Sequence, residues 1–308
     1  MASVGLVLAF GLEVLLYVAV CVLAWDFWVG KLPLGIMVVL VVTTFVALRV
    51  ALVLVEFLCS YLWGSRKDSG DRLGFWGSVR LVATEIVCFL IMVGLLLPFS
   101  RRLITFHRGS VSMSPQLPVL LIHGYASNAG IWAPMINFLY RRGLTKLFTL
   151  DFDPKYGELN DYAQQVAVRV NRICNTTGAP KIILVAHSMG GLIARAYVER
   201  FGGAARVAKL ISIGTPHHGT VTARLAPGLN ARQMRIGSDW LQELNREENV
   251  PHPILHVSIY SAHDNVVVPH ISAELGKARN VKLVGKGHFS LLFSKEVGQL
   301  VYREVIAA

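Results

Sequence analysis

Apolar and polar residues are spread unevenly along this chain, and the unevenness divides it in two. Before residue 100 the apolar residues fall in long runs: 4–24, interrupted only by Glu13; 34–63; and 81–98, closed by Pro98 and the pair Arg101-Arg102. About 20 apolar residues in helical form cross the hydrocarbon core of a bilayer. Three spans are therefore expected, near 4–24, 34–58 and 81–98, with the alternative that the third run lies along the interface. The first run lacks the basic start and small-residue cleavage site of a signal peptide, so it reads as a retained helix. Trp25, Trp28, Gly30 and Pro33 give the connection to the second run an interfacial composition. A polar, glycine-rich hinge at 64–80 precedes the third run. Membrane residues 1–100 are followed by a polar linker at 101–117.

From residue 118 short apolar strands alternate with amphipathic helices. Strands are expected at 118–122, 146–152, 181–186, 209–213, 254–260 and 281–284. Helices are expected at 162–174, where Val166, Val170 and Ile173 share one face, at 189–201, and at 291–305. Strands alternating with helices predict an α/β fold over 118–308: a mostly parallel sheet of about six strands with helices on both faces.

Composition sharpens this division. Apolar residues make up 54% of the 308 positions and charged residues 16%, a low charged share that comes from the first hundred residues. The net charge is +11, and residues 112–308 hold twenty-one Lys and Arg against thirteen Asp and Glu. That surplus suits either nearness to anionic lipid headgroups or an ordinary basic surface. Basic residues are not interleaved with aromatics, which excludes nucleic acid as a partner. The four cysteines show neither CxxC nor Cys/His spacing, so no disulfide framework, metal or cofactor is expected. Oligomeric state is left open.

Four ionisable residues, Glu13, Arg49, Glu56 and Glu85, lie inside apolar runs. Such groups face a partner or a watery cavity, or snorkel. Glu13 and Arg49 are expected at similar depth on adjacent spans, where they would pair. Glu56 and Glu85 are expected near the opposite face, snorkelling. Lys and Arg are balanced between the two sides, so orientation is undecided.

The chemistry is carried by Lys181 to Tyr197. An apolar β-branched run turns at Ala186-His187-Ser188-Met189-Gly190-Gly191 and continues in helix formers. Strand, sharp turn and helix describe a nucleophile elbow, with small residues two places either side of the serine. The competing reading is a helix start capped by Ser188. Hydrolases with this elbow run Ser, Asp or Glu, then His along the chain. Ser188, Asp264 and His288 satisfy that order. Asp264 follows an apolar strand, whose carboxyl end faces the crevice of a parallel sheet. His288 follows the last strand after Gly285-Lys286-Gly287. Each has a plainer reading, as a loop-capping Asp and a turn His. Asp151 and Asp153 also end a strand but precede the serine.

Residues 118–308 resemble a bacterial lipase or esterase of the α/β-hydrolase superfamily, of the kind with Ala-His-Ser-Met-Gly at the elbow. The matching segments are Leu121-Ile-His-Gly-Tyr125, Val185 to Gly191, Gly214-Thr-Pro-His-His-Gly219, Ser261-Ala-His-Asp-Asn-Val266 and Gly287-His288. The first hundred residues lie outside the resemblance. It implies an oxyanion hole made by the backbone N–H groups of Met189 and Tyr125, although Ala126-Ser-Asn-Ala-Gly130 stands where the family has a longer glycine run. His123 and Gly124 would shape that turn. His123, Gly124, His187, His217 and His218 are candidates for the pocket lining, and His263 reads as a surface residue. Residues 221–238 form either a small apolar flap or an ordinary connection.

These features imply a multi-pass membrane protein, in a bacterial inner membrane by the resemblance, that cleaves carboxylic esters of lipids through an acyl-enzyme. Phospholipase, lysophospholipase and acyltransferase activity would use the same triad. A membrane scaffold with an inactive hydrolase domain is the non-enzyme alternative.

Overall fold

The structure, a computed structural model, describes residues 34–105, 116–246 and 254–308. The first apolar run, with Glu13 and its expected pairing to Arg49, lies outside these residues. Arg49 itself sits over the Phe45 ring, 4.5 Å from its centroid.

Six parallel strands form one sheet in the order β2-β1-β3-β4-β5-β6. They are β1 (Val119–Ile122), β2 (Leu147–Thr149), β3 (Ile182–His187), β4 (Val207–Ile213), β5 (Leu255–Ser261) and β6 (Arg279–Leu283). Each coincides with an apolar run expected from the sequence, to within a few residues. The strands carry apolar residues on both faces, as a sheet covered on both sides requires. Leu120, Ile122, Ile182, Leu184 and Ala186 enter one core, and Val119, Leu121, Ile183 and Val185 enter the other.

Seven helices matter for the site: α1 (Leu34–Trp63), α2 (Phe75–Ile91), α3 (Ala133–Tyr140), α4 (Leu159–Thr177), α5 (Met189–Arg200), α6 (Ser290–Phe293) and α7 (Lys295–Ile306). Helices α4 and α5 cover the first face of the sheet, and α3 and α7 the second. Helix α4 stops at Gly178, whose positive φ closes it.

Two described helices, 35–63 and 75–96, are long and apolar enough to cross a membrane, against three spans expected. They join the hydrolase-like part unevenly. No residue of 35–50 is buried, so this length of α1 projects from the molecule. Further along, Val53 and Phe57 pack into the second core, and Glu56 and Ser60 turn the same way. Along α2, Leu81, Glu85, Cys88 and Phe89 are buried, a spacing that marks one face of a helix. Phe89 stacks on Phe289 at 4.8 Å between centroids. A π-helical turn at Met92–Leu96 continues α2, and Asn128 donates to the carbonyl of Leu97 from 31 residues away. The apolar helices and the sheet thus share a core. The snorkelling expected of Glu56 and Glu85 is overturned: Glu85 is fully buried and both carboxylates accept protein hydrogen bonds, because their helix faces turn inward.

Candidate active site

The elbow is built by crowding. Ser188 has φ 56° and ψ −128°, a left-handed backbone that a non-glycine residue adopts only when its surroundings enforce it. Its N–H donates to the carbonyl of Ile213 on the next strand, at 2.9 Å. A Cβ on Gly190 would lie 2.6 Å from the Ile122 carbonyl oxygen, and one on Gly191 would lie 2.0 Å from Thr215 Oγ1. The helix therefore leaves the strand only through glycine here. Ser188 occupies the N-cap position of α5, but its side chain makes no capping hydrogen bond. The capping alternative fails, because the hydroxyl accepts no N–H of the helix.

Gly124 presses against the serine. A Cβ there would lie 2.9 Å from Ser188 Cβ and 3.4 Å from its Oγ. The peptide joining Gly124 to Tyr125 consequently runs close to the hydroxyl. The N–H of Met189 opens α5 and has no carbonyl one turn earlier within that helix. Tyr125 is fixed at its other end, where its hydroxyl donates to the Pro227 carbonyl at 2.6 Å.

Asp264 and His288 are joined directly: His288 Nδ1 donates to Asp264 Oδ2 at 2.9 Å, both side chains being buried. With Nδ1 committed to the carboxylate, Nε2 is the basic nitrogen. The other oxygen of Asp264 accepts the N–H groups of Val266 and Val267 at 2.9 and 2.8 Å. Loop capping and histidine orientation are therefore both present in this one aspartate. Gly214 lets the pair approach: a Cβ there would lie 3.2 Å from Asp264 Oδ2 and 3.4 Å from His288 Nδ1. Gly214 directly follows Ile213, the residue that holds Ser188. His187, next to the serine, brings its ring to 4.6 Å from that of His288 and its Nε2 to 3.3 Å from the His288 carbonyl oxygen. Ile213, which holds the Ser188 N–H, and Gly214, which lies against the Asp264–His288 pair, thus link the elbow to that pair at the carboxyl ends of the strands.

Burial alone would lower the pKa of His288. The Asp264 carboxylate, with Glu85 and Glu56 behind it, outweighs burial and holds the imidazole above its ordinary value. His187 moves the other way: burial, then the neighbouring His288, push it well below the ordinary value, so it is neutral.

The remaining candidates are dispersed. His123 is buried, with Nδ1 2.9 Å from the Gly124 carbonyl oxygen and Nε2 3.8 Å from Asp151. His217 lies between the sheet and α5, contacting Ser212, Ser258 and Arg195, and so is turned into the first core. His218 donates its N–H to the Ser272 carbonyl. His263, expected at the surface, is buried, and burial with Lys67 nearby pulls its pKa down to about 4. Its Nδ1 accepts from the Gly285 N–H at the root of the histidine loop. Asp151 accepts the Ala129 N–H and Asp153 is bonded to Gln165. Neither aspartate touches His288. Among the described residues no cluster of side chains suits a metal ion.

Residues 221–238 are strapped at both ends. Val221 N–H donates to the Val268 carbonyl, and Gln233 accepts from the Leu159 N–H. Leu225, Leu229 and Ile236 remain exposed on this strap. Helix α1 lies against its first turn, Val221–Arg224.

Sequence reasoning missed Glu85, Glu56 and Asn265. Glu85 accepts the N–H groups of Phe289 and Ser290, at 2.7 and 2.9 Å. Glu56 accepts from the Asn265 side chain at 2.7 Å, and Asn265 Oδ1 accepts the His288 N–H at 2.9 Å. The only sequence signal for the two glutamates was a carboxylate inside an apolar run, and for Asn265 its place directly after Asp264.

Residues 118–235 match the family described as alpha/beta hydrolase fold, and the six-stranded parallel sheet with its elbow is that fold. Among solved structures the chain is similar to the mature form of the Bacillus licheniformis lipase BlEst2, with 18% identity and a TM-score of 0.57. That match covers 65% of this chain and 95% of the lipase. It is similar also to Aspergillus fumigatus lipase B, with 18% identity and a TM-score of 0.57. There it covers 65% of this chain but spans only 54% of the lipase. At such identities the likeness is one of fold.

Proposed function

We propose that this protein is a membrane-anchored serine hydrolase that cleaves carboxylic esters of lipids. The observation that carries the reading is the 2.9 Å Asp264–His288 pair, with the His288 ring 4.6 Å from that of His187, the neighbour of the strained Ser188. In the proposed reaction His288 Nε2 takes the proton of Ser188 Oγ as that oxygen attacks the ester carbonyl. Asp264 keeps the tautomer and stabilises the imidazolium. The oxyanion is met by the N–H groups of Met189 and Tyr125, each such donor lowering the barrier by about 3 kcal/mol. The imidazolium returns its proton to the leaving alcohol. Water, deprotonated by His288, then releases the acid from the acyl-enzyme.

The lipid substrate class rests on where α1 puts the site. Helix residues rise about 1.5 Å each, so residues 34–52 extend roughly 28 Å, close to the thickness of a hydrocarbon core. Glu56 and Ser60, the next turns of α1, contact Asn265 and Asp264. An α1 that spans the bilayer therefore holds the site at headgroup level, beside ester carbonyls.

A fluorophosphonate probe tests the reading on the full chain in membranes. Labelling that is lost in Ser188→Ala supports it, and an unlabelled wild-type protein refutes it. A panel of glycerolipid and phospholipid esters, assayed with wild type and Ser188→Ala, then identifies the substrate and separates hydrolysis from acyl transfer.

A further inference from the structure

The loop that carries His288 has little stiffness of its own. Gly285 and Gly287 precede the histidine, and the four-residue α6 follows it. Ser261 of β5 donates to the Lys286 carbonyl and His263 accepts the Gly285 N–H at its root, and further fixed points come from outside the sheet. Glu85 of α2 receives the first two N–H groups after the histidine, one on each carboxylate oxygen, across 204 and 205 residues of chain. A Cβ on Gly287 would lie 2.4 Å from that carboxyl group, so the loop backbone lies directly on it. On the other side, Glu56 of α1 holds the Asn265 amide across 209 residues. The oxygen of that amide in turn receives the His288 N–H. Ser60, one turn beyond Glu56, donates to the Asp264 carbonyl at 3.3 Å.

We propose that Glu85 is a positioning residue for His288, assisted by Glu56 through Asn265, so that two helices outside the hydrolase sheet complete its active site. This rests on the serine-hydrolase reading. A burial penalty of several kcal/mol per ion stands against placing carboxylates in such surroundings. Fixing a catalytic loop is a role that offsets it: both oxygens of Glu85 accept backbone N–H groups, and Glu56 Oε2 accepts the Asn265 amide.

The same carboxylates act on the imidazole through space. Four ionisable groups bear on His288: Asp264 from the loop after β5, Glu85 from α2, Glu56 from α1 and the neutral His187 from the elbow. Removing the Glu85 charge leaves the imidazolium less stabilised. His288 then stays neutral, and competent as a base, to lower pH.

The experiment uses the full chain in lipid nanodiscs, as wild type, Glu85→Gln, Glu85→Asp and Glu56→Gln. The readouts are kcat and KM on a chromogenic ester across pH, together with the His288 ring titration followed by NMR of histidine-labelled protein. For Glu85→Gln the expected result is a fall in kcat of about 10- to 100-fold, the size typical of groups that orient a functional histidine. KM should change little. The acid limb of kcat/KM and the NMR titration should both move to lower pH, because Glu85 contributes to holding the imidazole up. A folded Glu85→Gln protein whose acid limb and ring titration stay in place overturns the proposal, even if kcat falls, because a purely structural brace would act that way. Should Glu85→Gln fail to fold, Glu85→Asp decides: the shorter side chain is withdrawn from the Phe289 and Ser290 N–H groups, and an unchanged kcat overturns the proposal. Should the wild type prove inactive and unlabelled, the hydrolase reading fails by itself, while the ring titrations still test whether Glu85 acts on His288.

Discussion

Ser188 and His288 both follow strands at the carboxyl ends of one parallel sheet, yet they are held by different means. The serine is fixed by its own neighbourhood: a strained φ, a hydrogen bond to the adjacent strand, and glycines at 124, 190 and 191 packed against backbone and Thr215. The histidine is fixed from afar, by carboxylates of α1 and α2 more than 200 residues earlier. One half of the site is thus a property of the α/β fold, and the other is supplied by helices that the fold does not include. The serine half resembles any elbow of its kind.

Substitutions break this comparison in a graded way. The largest effect after loss of the nucleophile belongs to Asp264→Asn, which touches the histidine half directly. The fall in kcat should be about 10⁴-fold, since the amide favours the wrong tautomer, with the protein still folded by circular dichroism. Next is Gly124→Ala on the serine half. The added methyl meets Ser188 and displaces the Tyr125 N–H, and a misplaced oxyanion donor costs about 10²–10³ in kcat. Ester binding, read as KM, should change far less. Third is Phe89→Ala, which unstacks α2 from Phe289. Loss of a buried Phe costs about 3–5 kcal/mol, visible as a lower melting temperature. If the halves are independently held, the fluorophosphonate adduct at Ser188 should form more slowly in this variant without any change at the elbow.

The smallest effect is on pH. His288 is held above the ordinary imidazole value, and its neutral form is the base. Wild-type kcat/KM should therefore fall as pH drops through a value above about 6.5, the unperturbed imidazole pKa. An acid limb below that value would show that the carboxylates do not bear on the ring.

The two halves also differ in how legible they were. The elbow, the six strands and the Ser–Asp–His order are local in sequence: β-branched runs, glycine spacing and strand ends carry them. The dependence of His288 on Glu85 was not legible, because no spacing links residues 204 or 205 positions apart. An apolar run reads the same whether it faces lipid or a protein core, which is why Glu85 was expected to snorkel. His263 misled for a related reason. Its position beside Asp264 looked like an exposed turn, whereas the structure folds it under the loop to receive Gly285. The number of spans was obscured by length alone, since α2 is long enough to cross a membrane yet buries one face against the sheet domain.

The order of synthesis gives the shared core a further meaning. The acceptors at residues 56 and 85 leave the ribosome first, and the segment that must dock on them leaves among the last. A nascent chain therefore holds a finished elbow but no working base until its carboxyl-terminal turn closes on helices already made. On the proposed role of Glu85, a fragment trimmed to begin near residue 118 would carry Ser188, Asp264 and His288 and still lack the carboxylate that receives the Phe289 and Ser290 N–H groups.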